Sequence, residues 1–234
     1  MLDRVLASLR RRLPAPLSNL IPKRSFLGCC DFCGNPDLTW RTTQIVAREN
    51  EGDDERNFNW SSKHTTPDQL RIERVLGALR HKGARVLHVG VGNSSFAERW
   101  SGEVAEIVGI TIATAEQQHA VDLGLPNYSC HLINKYDPAL MKMSSQFDFI
   151  IDNNPSFAAC CKFHFFTMWC SYSALLKAGG TALTDTGGMR WVIPGGDLRW
   201  SLDDRDLGWI GDHFGFAVTR SADEDSVRFL TRTS

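Results

Sequence analysis

The sequence predicts an α/β fold, a doubly wound, mostly parallel seven-stranded sheet closed by a C-terminal antiparallel hairpin, and three observations carry that prediction. From about residue 66 the apolar residues alternate between the two-residue period of strands and the 3.6-residue spacing of helices. A glycine turn, Gly90-Val91-Gly92, follows the first strand-like run. At the far end two strand-like runs are separated only by a polar stretch, Ser221 to Ser226, too short for a right-handed crossover.

Residues 1 to 64 read as an irregular N-terminal extension or cap, broken by Pro14, Pro16, Pro22 and Pro36. Leu2, Val5, Leu6 and Leu9 have the spacing of a short amphipathic helix, and the basic and acidic runs that follow read as solvated surface. A domain from 65 to 234 then begins at Thr66-Pro67-Asp68-Gln69, where an N-cap hydroxyl and a proline at the first helical position predict a helix to about residue 80. Ile72, Val75, Leu76 and Leu79 form its apolar stripe. Strands are expected over 85 to 90, 106 to 112, 128 to 133, 147 to 152 and 181 to 185. Helical segments are expected over 96 to 100, 114 to 123 and, at length, 157 to 176. The runs at 216 to 220 and 227 to 231 are the two strands of the hairpin. Residues 187 to 212 are expected to form, with the N-terminal cap, the walls of a binding site.

Composition narrows the function classes. The chain has 234 residues, 42% hydrophobic and 23% charged, so disorder over most of its length is excluded. A formal net charge of −1 offers no bulk attraction for nucleic acid, and none is expected as a partner. No apolar run approaches the roughly 18 residues of a membrane span, and charges stand where a secretory signal needs its apolar segment. Seven cysteines, an odd number, fit reduced thiols better than a disulfide framework, so a cytoplasmic location is expected.

Gly90 and Gly92 sit where the first strand opens onto the crevice of an α/β sheet, and a ligand there can approach the backbone closely. A dinucleotide fingerprint would want glycine at Ser95 and an acidic residue near Thr111. The run His88-Val-Gly-Val-Gly-Asn-Ser94 instead resembles the glycine-rich first motif of class I S-adenosylmethionine-dependent methyltransferases, departing from it at His88, where an acidic residue is usual, and at Ser94, usually glycine. Val108-Gly-Ile-Thr-Ile-Ala113 with Glu116-Gln117 is similar to a variant second motif in which threonine replaces the ribose-binding carboxylate. Leu175-Leu-Lys-Ala-Gly-Gly180 is similar to the approach to the fifth strand, and the closing hairpin to the sixth and seventh strands. The resemblance covers about residues 70 to 232 and implies the Rossmann-like methyltransferase fold, with S-adenosylmethionine as cofactor and a small-molecule acceptor. It also implies that Gly90, Gly92, Asn93 and Ser94 hold the methionine end, that Thr111, Ile112 and Gln117 border the ribose and adenine, and that Asn134 meets the adenine.

Methyl transfer mainly requires alignment and the exclusion of water. Asp152 and Asp185 end neighbouring strands and are candidates to hold Mg²⁺, which would activate an oxygen nucleophile. Both also fit a role in bracing tight turns. Asn153 and Asn154 follow the same strand as Asp152 and are expected to contact the acceptor, and His164 is a candidate base that equally suits the core. Asn154-Pro-Ser-Phe157 resembles the N-P-P-Y/F signature of amino-group methyltransferases, with serine where proline is expected. Trp60 and Trp191 could cover a sulfonium or an aromatic acceptor. Cys30 and Cys33 have the spacing of half a zinc site, but no second pair follows. The rival functions are an amino-group methyltransferase, a nicotinamide-dependent oxidoreductase and a non-catalytic S-adenosylmethionine-binding domain.

Overall fold

The computed structural model describes residues 60–143, 146–157, 159, 162–191 and 201–233. Strands β1 (Arg85–Val89), β2 (Glu106–Thr111), β3 (Tyr128–Leu132), β4 (Phe147–Ile151) and β5 (Leu176–Asp185) pair in parallel, while β6 (Phe216–Arg220) and β7 (Val227–Arg232) form the expected antiparallel hairpin. The order across the sheet is β3-β2-β1-β4-β5-β7-β6, with β7 antiparallel to β5. The helices are α1 (Pro67–Ala78), α2 (Ser95–Trp100), α3 (Thr114–Asp122), α4 (Lys162–Leu175), α5 (Thr186–Arg190) and α6 (Asp204–Phe214).

Successive strand residues point to opposite faces, so a strand covered on both sides must be apolar almost throughout. Val86, Ile107, Ile151 and Leu183 pack with Ile72, Val75, Leu76 and Phe96 of α1 and α2. Their chain neighbours Leu87, Val108, Ile150 and Ala182 pack with Phe165, Met168, Trp169 and Tyr172 of α4 and Leu207 and Ile210 of α6. The helix stripe expected on α1 is buried at Ile72, Val75 and Leu76, with Leu79 partly so.

The structure adds detail to three of these expectations. Thr66 occupies the N-cap of α1 without a side-chain hydrogen bond, and Pro67 begins the helix. The long helix ends at Leu175 because the chain passes directly into β5 at Leu176, with Gly179 at φ 76° where the β4–β5 register shifts. In and beside the segment 187 to 212, expected as a wall of the site, α5 and α6 form; Asp203 caps α6 by accepting from Arg205 N and Asp206 N, each at 3.0 Å, and Gly215 ends it at φ 76°. Among the described residues no helix is long and apolar enough to cross a membrane. The N-terminal extension up to residue 59, its charge runs and the Cys30 and Cys33 pair lie outside the described residues.

Candidate functional site

The carboxyl ends of β1, β2 and β4 open on a cleft of about 250 Å³, walled on its outer side by the segment leading into α1. Of the residues expected to form the site, Gly90, Gly92, Asn93, Thr111, Ile112, Asn134, Asp152, Asn153 and Asn154 line it. Ser94, Gln117, His164 and Asp185 do not.

The glycine turn is built by backbone conformation. Gly90 and Gly92 have φ of 73° and 53°, in the left-handed region that a Cβ disfavours, and a Cβ added at Gly90 would project into open space. Ser94, at φ 55°, is the one non-glycine among the described residues with positive φ. Glycine is usual there because L side chains rarely adopt that conformation. The buried serine shares a hydrogen bond with Tyr128 Oη at 3.1 Å, so it supports the turn from behind and does not face the ligand space. Asn93 ties the turn to the outer wall, its Nδ2 donating to Lys63 O at 2.7 Å.

At the end of β2, Thr111 Oγ1 donates to Glu116 Oε2 at 2.5 Å and accepts from Ala113 N at 3.1 Å. Glu116 Oε1 accepts from Trp60 N at 2.9 Å. Burial pushes the Glu116 carboxyl up, against hydrogen bonds from Thr111, Trp60 and Gly92. Thus α3 supplies, from its first turn, the carboxylate missing from the strand end. Gln117, expected to face the sugar, is rotated away and donates to Cys130 O at 3.3 Å. The signal that separates the two is helical spacing, since Glu116 and Ala120 are the buried residues of α3.

Beyond β3 and β4 the cleft has a different character. Lys135, absent from the sequence expectations, is buried and donates to Asp152 Oδ1 and Oδ2 at 3.1 and 3.0 Å and to Asn154 O at 2.5 Å. Burial lowers its ammonium against the opposing pull of Asp152. Tyr172 Oη donates to Asp152 Oδ2 at 2.7 Å, and burial holds this phenol well above its ordinary range. Tyr136 Oη donates to Pro155 O at 3.1 Å and Phe157 O at 2.6 Å, and Thr184 Oγ1 to Asn153 O at 3.2 Å. Asn153 Nδ2 donates to Asp68 Oδ2 at 2.7 Å. The Phe157 and Trp191 rings meet at 5.1 Å and close the far end.

Asp185 belongs to the fold. It accepts from Arg71 Nε at 2.9 Å and Nη2 at 2.8 Å, Ser226 Oγ at 2.6 Å and Gly187 N at 2.7 Å. Burial raises its pKa, but Arg71, Ser226 and the Gly187 amide outweigh that and hold the carboxyl below its ordinary value. A divalent ion between Asp152 and Asp185 does not fit this arrangement, because each carboxylate already carries a cationic side chain and only Asp152 faces the cleft. Among the described residues no group of three or more His, Cys, Asp or Glu side chains gathers for a metal. His164 is buried on α4 with its ring against Phe163 at 5.4 Å, away from the cleft. Of the groups expected as catalytic, Asp152, Asn153 and Asn154 are brought together and His164 is not.

No family model matches the sequence, and no curated protein does. Solved structures similar to this chain include the N-methyltransferase NodS from Bradyrhizobium japonicum WM9 in complex with S-adenosyl-l-homocysteine, 14% identical, covering 81% of this chain and 96% of that one with a TM-score of 0.53. The sugar N-methyltransferase KedS8 from a Streptoalloteichus species is 12% identical, with 82% and 93% covered and a TM-score of 0.52. CalS10, an amino pentose methyltransferase from Micromonospora echinaspora solved with S-adenosylmethionine bound, is 14% identical, with 82% and 97% covered and a TM-score of 0.51. The shared feature is the fold, and the expected Rossmann-like methyltransferase architecture is the one observed.

Proposed function

From that fold as premise, we propose that the chain is an enzyme that binds S-adenosylmethionine and transfers its methyl group to a small-molecule acceptor, an oxygen nucleophile being preferred. The observation that carries this reading is the pairing of the left-handed glycine turn after β1 with the Thr111–Glu116 pair after β2, both facing one cleft. Gly90, Gly92 and Asn93 would hold the amino-acid end, Glu116 the ribose hydroxyls, and Ile112, Ile133 and Asn134 the adenine. When bound, the cofactor supplies a methyl group on a positively charged sulfonium. Insertion of β7 between β5 and β6 argues against a nicotinamide enzyme, whose usual strand order is 3-2-1-4-5-6.

The acceptor would lie against Asn153, Asn154, Phe157 and Trp191, whose rings keep water out and offer a face to a planar molecule. The amine reading of Asn154-Pro-Ser-Phe157 needs a free carbonyl and polar side chain. Here Asn154 O and Pro155 O already accept from Lys135 and Tyr136, although the side-chain amide oxygen of Asn154 has no partner. Asp152 carries hydrogen bonds from Lys135, Tyr172 and Asn154 N, so it anchors the loop and is not the base. The exposed imidazole of His64, on the outer wall, is the group we assign to take a hydroxyl acceptor's proton. A net charge of −1 supports a small metabolite over nucleic acid, and unpaired Cys130 and Cys170 support a cytoplasmic setting.

Calorimetric titration with S-adenosylhomocysteine and with NAD tests the cofactor, and exclusive binding of NAD sinks the proposal. Label from methyl-tritiated S-adenosylmethionine should then pass to one member of a panel of hydroxylated metabolites. Tight S-adenosylhomocysteine binding with no transfer to any hydroxyl or amine would favour the non-catalytic alternative.

A further inference from the structure

Among the described residues three carboxylates line the cleft, those of Asp68, Glu116 and Asp152. Two of them are engaged on both oxygens by the protein itself. Glu116 accepts from Trp60 N and Thr111 Oγ1, and Asp152 from Lys135 Nζ, Asn154 N and Tyr172 Oη. Asp68, in the first turn of α1, differs. It is partly exposed, its Oδ2 accepts from Asn153 Nδ2 at 2.7 Å, and its Oδ1 accepts no hydrogen bond from a described residue. The guanidinium nearest to it, that of Arg71, is committed to Asp185.

An acidic residue at a helix start is ordinary, because the helix dipole favours negative charge there. The dipole does not explain the contact with Asn153. That amide is spent on both sides: Nδ2 on Asp68, and Oδ1 against Gly188, where an added Cβ would come within 2.4 Å of it. Asn153 therefore holds the Asp68 carboxylate beside the loop on which the acceptor is placed, where the Phe157 and Trp191 rings supply apolar surface. An ionised carboxylate only accepts hydrogen bonds, so a molecule resting there must bring a donor, a hydroxyl or an ammonium. Charge separates the two. A Cβ at Gly187 would lie 3.3 Å from Arg71 Nη2 and 3.6 Å from Asp68 Cβ, so the guanidinium stands close to Asp68 and offsets part of its charge. The cofactor's sulfonium adds a further positive charge to the same cleft. A neutral hydroxyl meets no repulsion from either, whereas a second cation does.

We infer that Asp68 selects acceptors with a second hydroxyl, accepting a hydrogen bond from it while the first hydroxyl takes the methyl group. This rests on the proposed methyl transfer and deepens it. The substrate class becomes a polyol or polyphenol, and a lone alcohol or phenol is a poor substrate. The second hydroxyl keeps its proton throughout. Asp68 is thus a specificity-determining residue, and deprotonation of the first hydroxyl stays with His64.

Acceptors that differ by one hydroxyl isolate the contact. Label from methyl-tritiated S-adenosylmethionine is followed into catechol against phenol, and into vicinal cyclohexanediol against cyclohexanol. In the pair it accepts, the unaltered protein should show kcat/KM about tenfold or more in favour of the dihydroxy compound, the scale of one hydrogen bond to a charged group. Asp68→Ala should abolish that preference by raising KM for the dihydroxy compound about tenfold or more, while kcat/KM for the monohydroxy compound changes by less than about twofold. Asp68→Asn, which keeps a neutral acceptor, should retain part of the preference. S-adenosylhomocysteine binding, read by calorimetry, should stay within about twofold in both variants, and it reports that the cleft is still folded. Equal loss on both members of the pair, or an unchanged preference in Asp68→Ala, overturns the assignment. Weakening of S-adenosylhomocysteine in step with the acceptor also overturns it, because Asp68 would then serve the cofactor. If the unaltered protein methylates the monohydroxy compound equally well, this inference fails and the proposed transfer stands. If it binds no S-adenosylhomocysteine, or labels neither member of either pair, the reading of the cleft as a hydroxyl methyltransferase site fails and takes this inference with it.

Discussion

The two halves of the cleft are built on opposite principles. On the β1–β2 side the backbone is turned into left-handed conformations at Gly90, Gly92 and Ser94, a carboxylate is buried at Glu116, and a ring nitrogen is left unpartnered at His88. On the β4–β5 side the carboxylates and loop carbonyls are answered from within the protein, by Lys135 and Tyr172 on Asp152, Tyr136 on two loop carbonyls, and Arg71 and Ser226 on Asp185, while the amide oxygens of Asn153 and Asn154 have no partner. The first half is shaped by backbone conformation around a cleft, whereas the second is braced by buried ion pairs and hydrogen bonds between distant side chains. Substitutions in the first half should therefore register in binding, and substitutions in the second half in stability.

The largest effect tests the second half. Arg71→Leu leaves Asp185, whose side chain is 0% exposed, with only Ser226 and the Gly187 amide. Removing one partner of a buried ion pair typically costs about 3–5 kcal/mol, and the partial exposure of Arg71 places the expected loss near ~3 kcal/mol. Chemical denaturation should show it at pH 7. The linkage sign follows from the depressed pKa: the stabilisation is present above the ordinary carboxylate value and fades as pH falls through the lowered one, so variant and parent should converge in strong acid. A loss confined to about 0.5 kcal/mol, the range of ordinary surface substitutions, would break the contrast between the halves.

Gly188→Ala comes next. A Cβ at Gly188 would press into Asn153 O and into the amide oxygens of Asn153 and Asn154, which have no hydrogen-bond partner and fill the space above the glycine. Because one of the atoms met is backbone, the loop after β4 must shift, at a cost of about 1–3 kcal/mol. S-adenosylhomocysteine affinity should stay within about twofold if the halves are separable, a change of less than 0.5 kcal/mol by the affinity relation. A matching loss of cofactor affinity in calorimetry would show instead that the acceptor loop and the glycine turn move as one.

How far the sequence revealed each half follows from the same contrast. The strands, their order of appearance and the hairpin were legible because burial on two faces forces long apolar runs, as at Val86-Leu87 and Ile150-Ile151. The glycine turn was legible because positive φ restricts which residues can stand there. The second half was not, because Lys135, Tyr136 and Tyr172 act through contacts at long sequence separation, and no local spacing joins Lys135 to Asp152 or Arg71 to Asp185. Asp185 looked like a ligand because it ends a strand, and only the position of α1 reveals the arginine that claims it. Gln117 was chosen over Glu116 by motif, while the helical pairing of Glu116 with Ala120 would have placed the carboxylate inward.

Glu116→Gln should give the smallest change in stability and the sharpest separation of the halves. Burial raises the Glu116 pKa in the folded protein, so the folded state holds this proton more tightly than the unfolded chain, and stability declines as pH rises from the ordinary carboxylate value through the raised one. At neutral pH the native protein thus retains a desolvated charge that works against folding. A neutral amide of the same shape removes that penalty and can still accept from Trp60 N, so stability should be unchanged within about 1 kcal/mol or higher. S-adenosylhomocysteine should nevertheless bind about tenfold more weakly, since hydrogen bonds from ribose hydroxyls to a carboxylate are stronger than those to an amide. Calorimetry and denaturation on one preparation read both quantities. A stability loss rivalling that of Arg71→Leu, with affinity intact, would mean that Glu116 serves to hold Trp60 and Thr111 in place, and that the carboxylate on the β2 side is as structural as the one on β5.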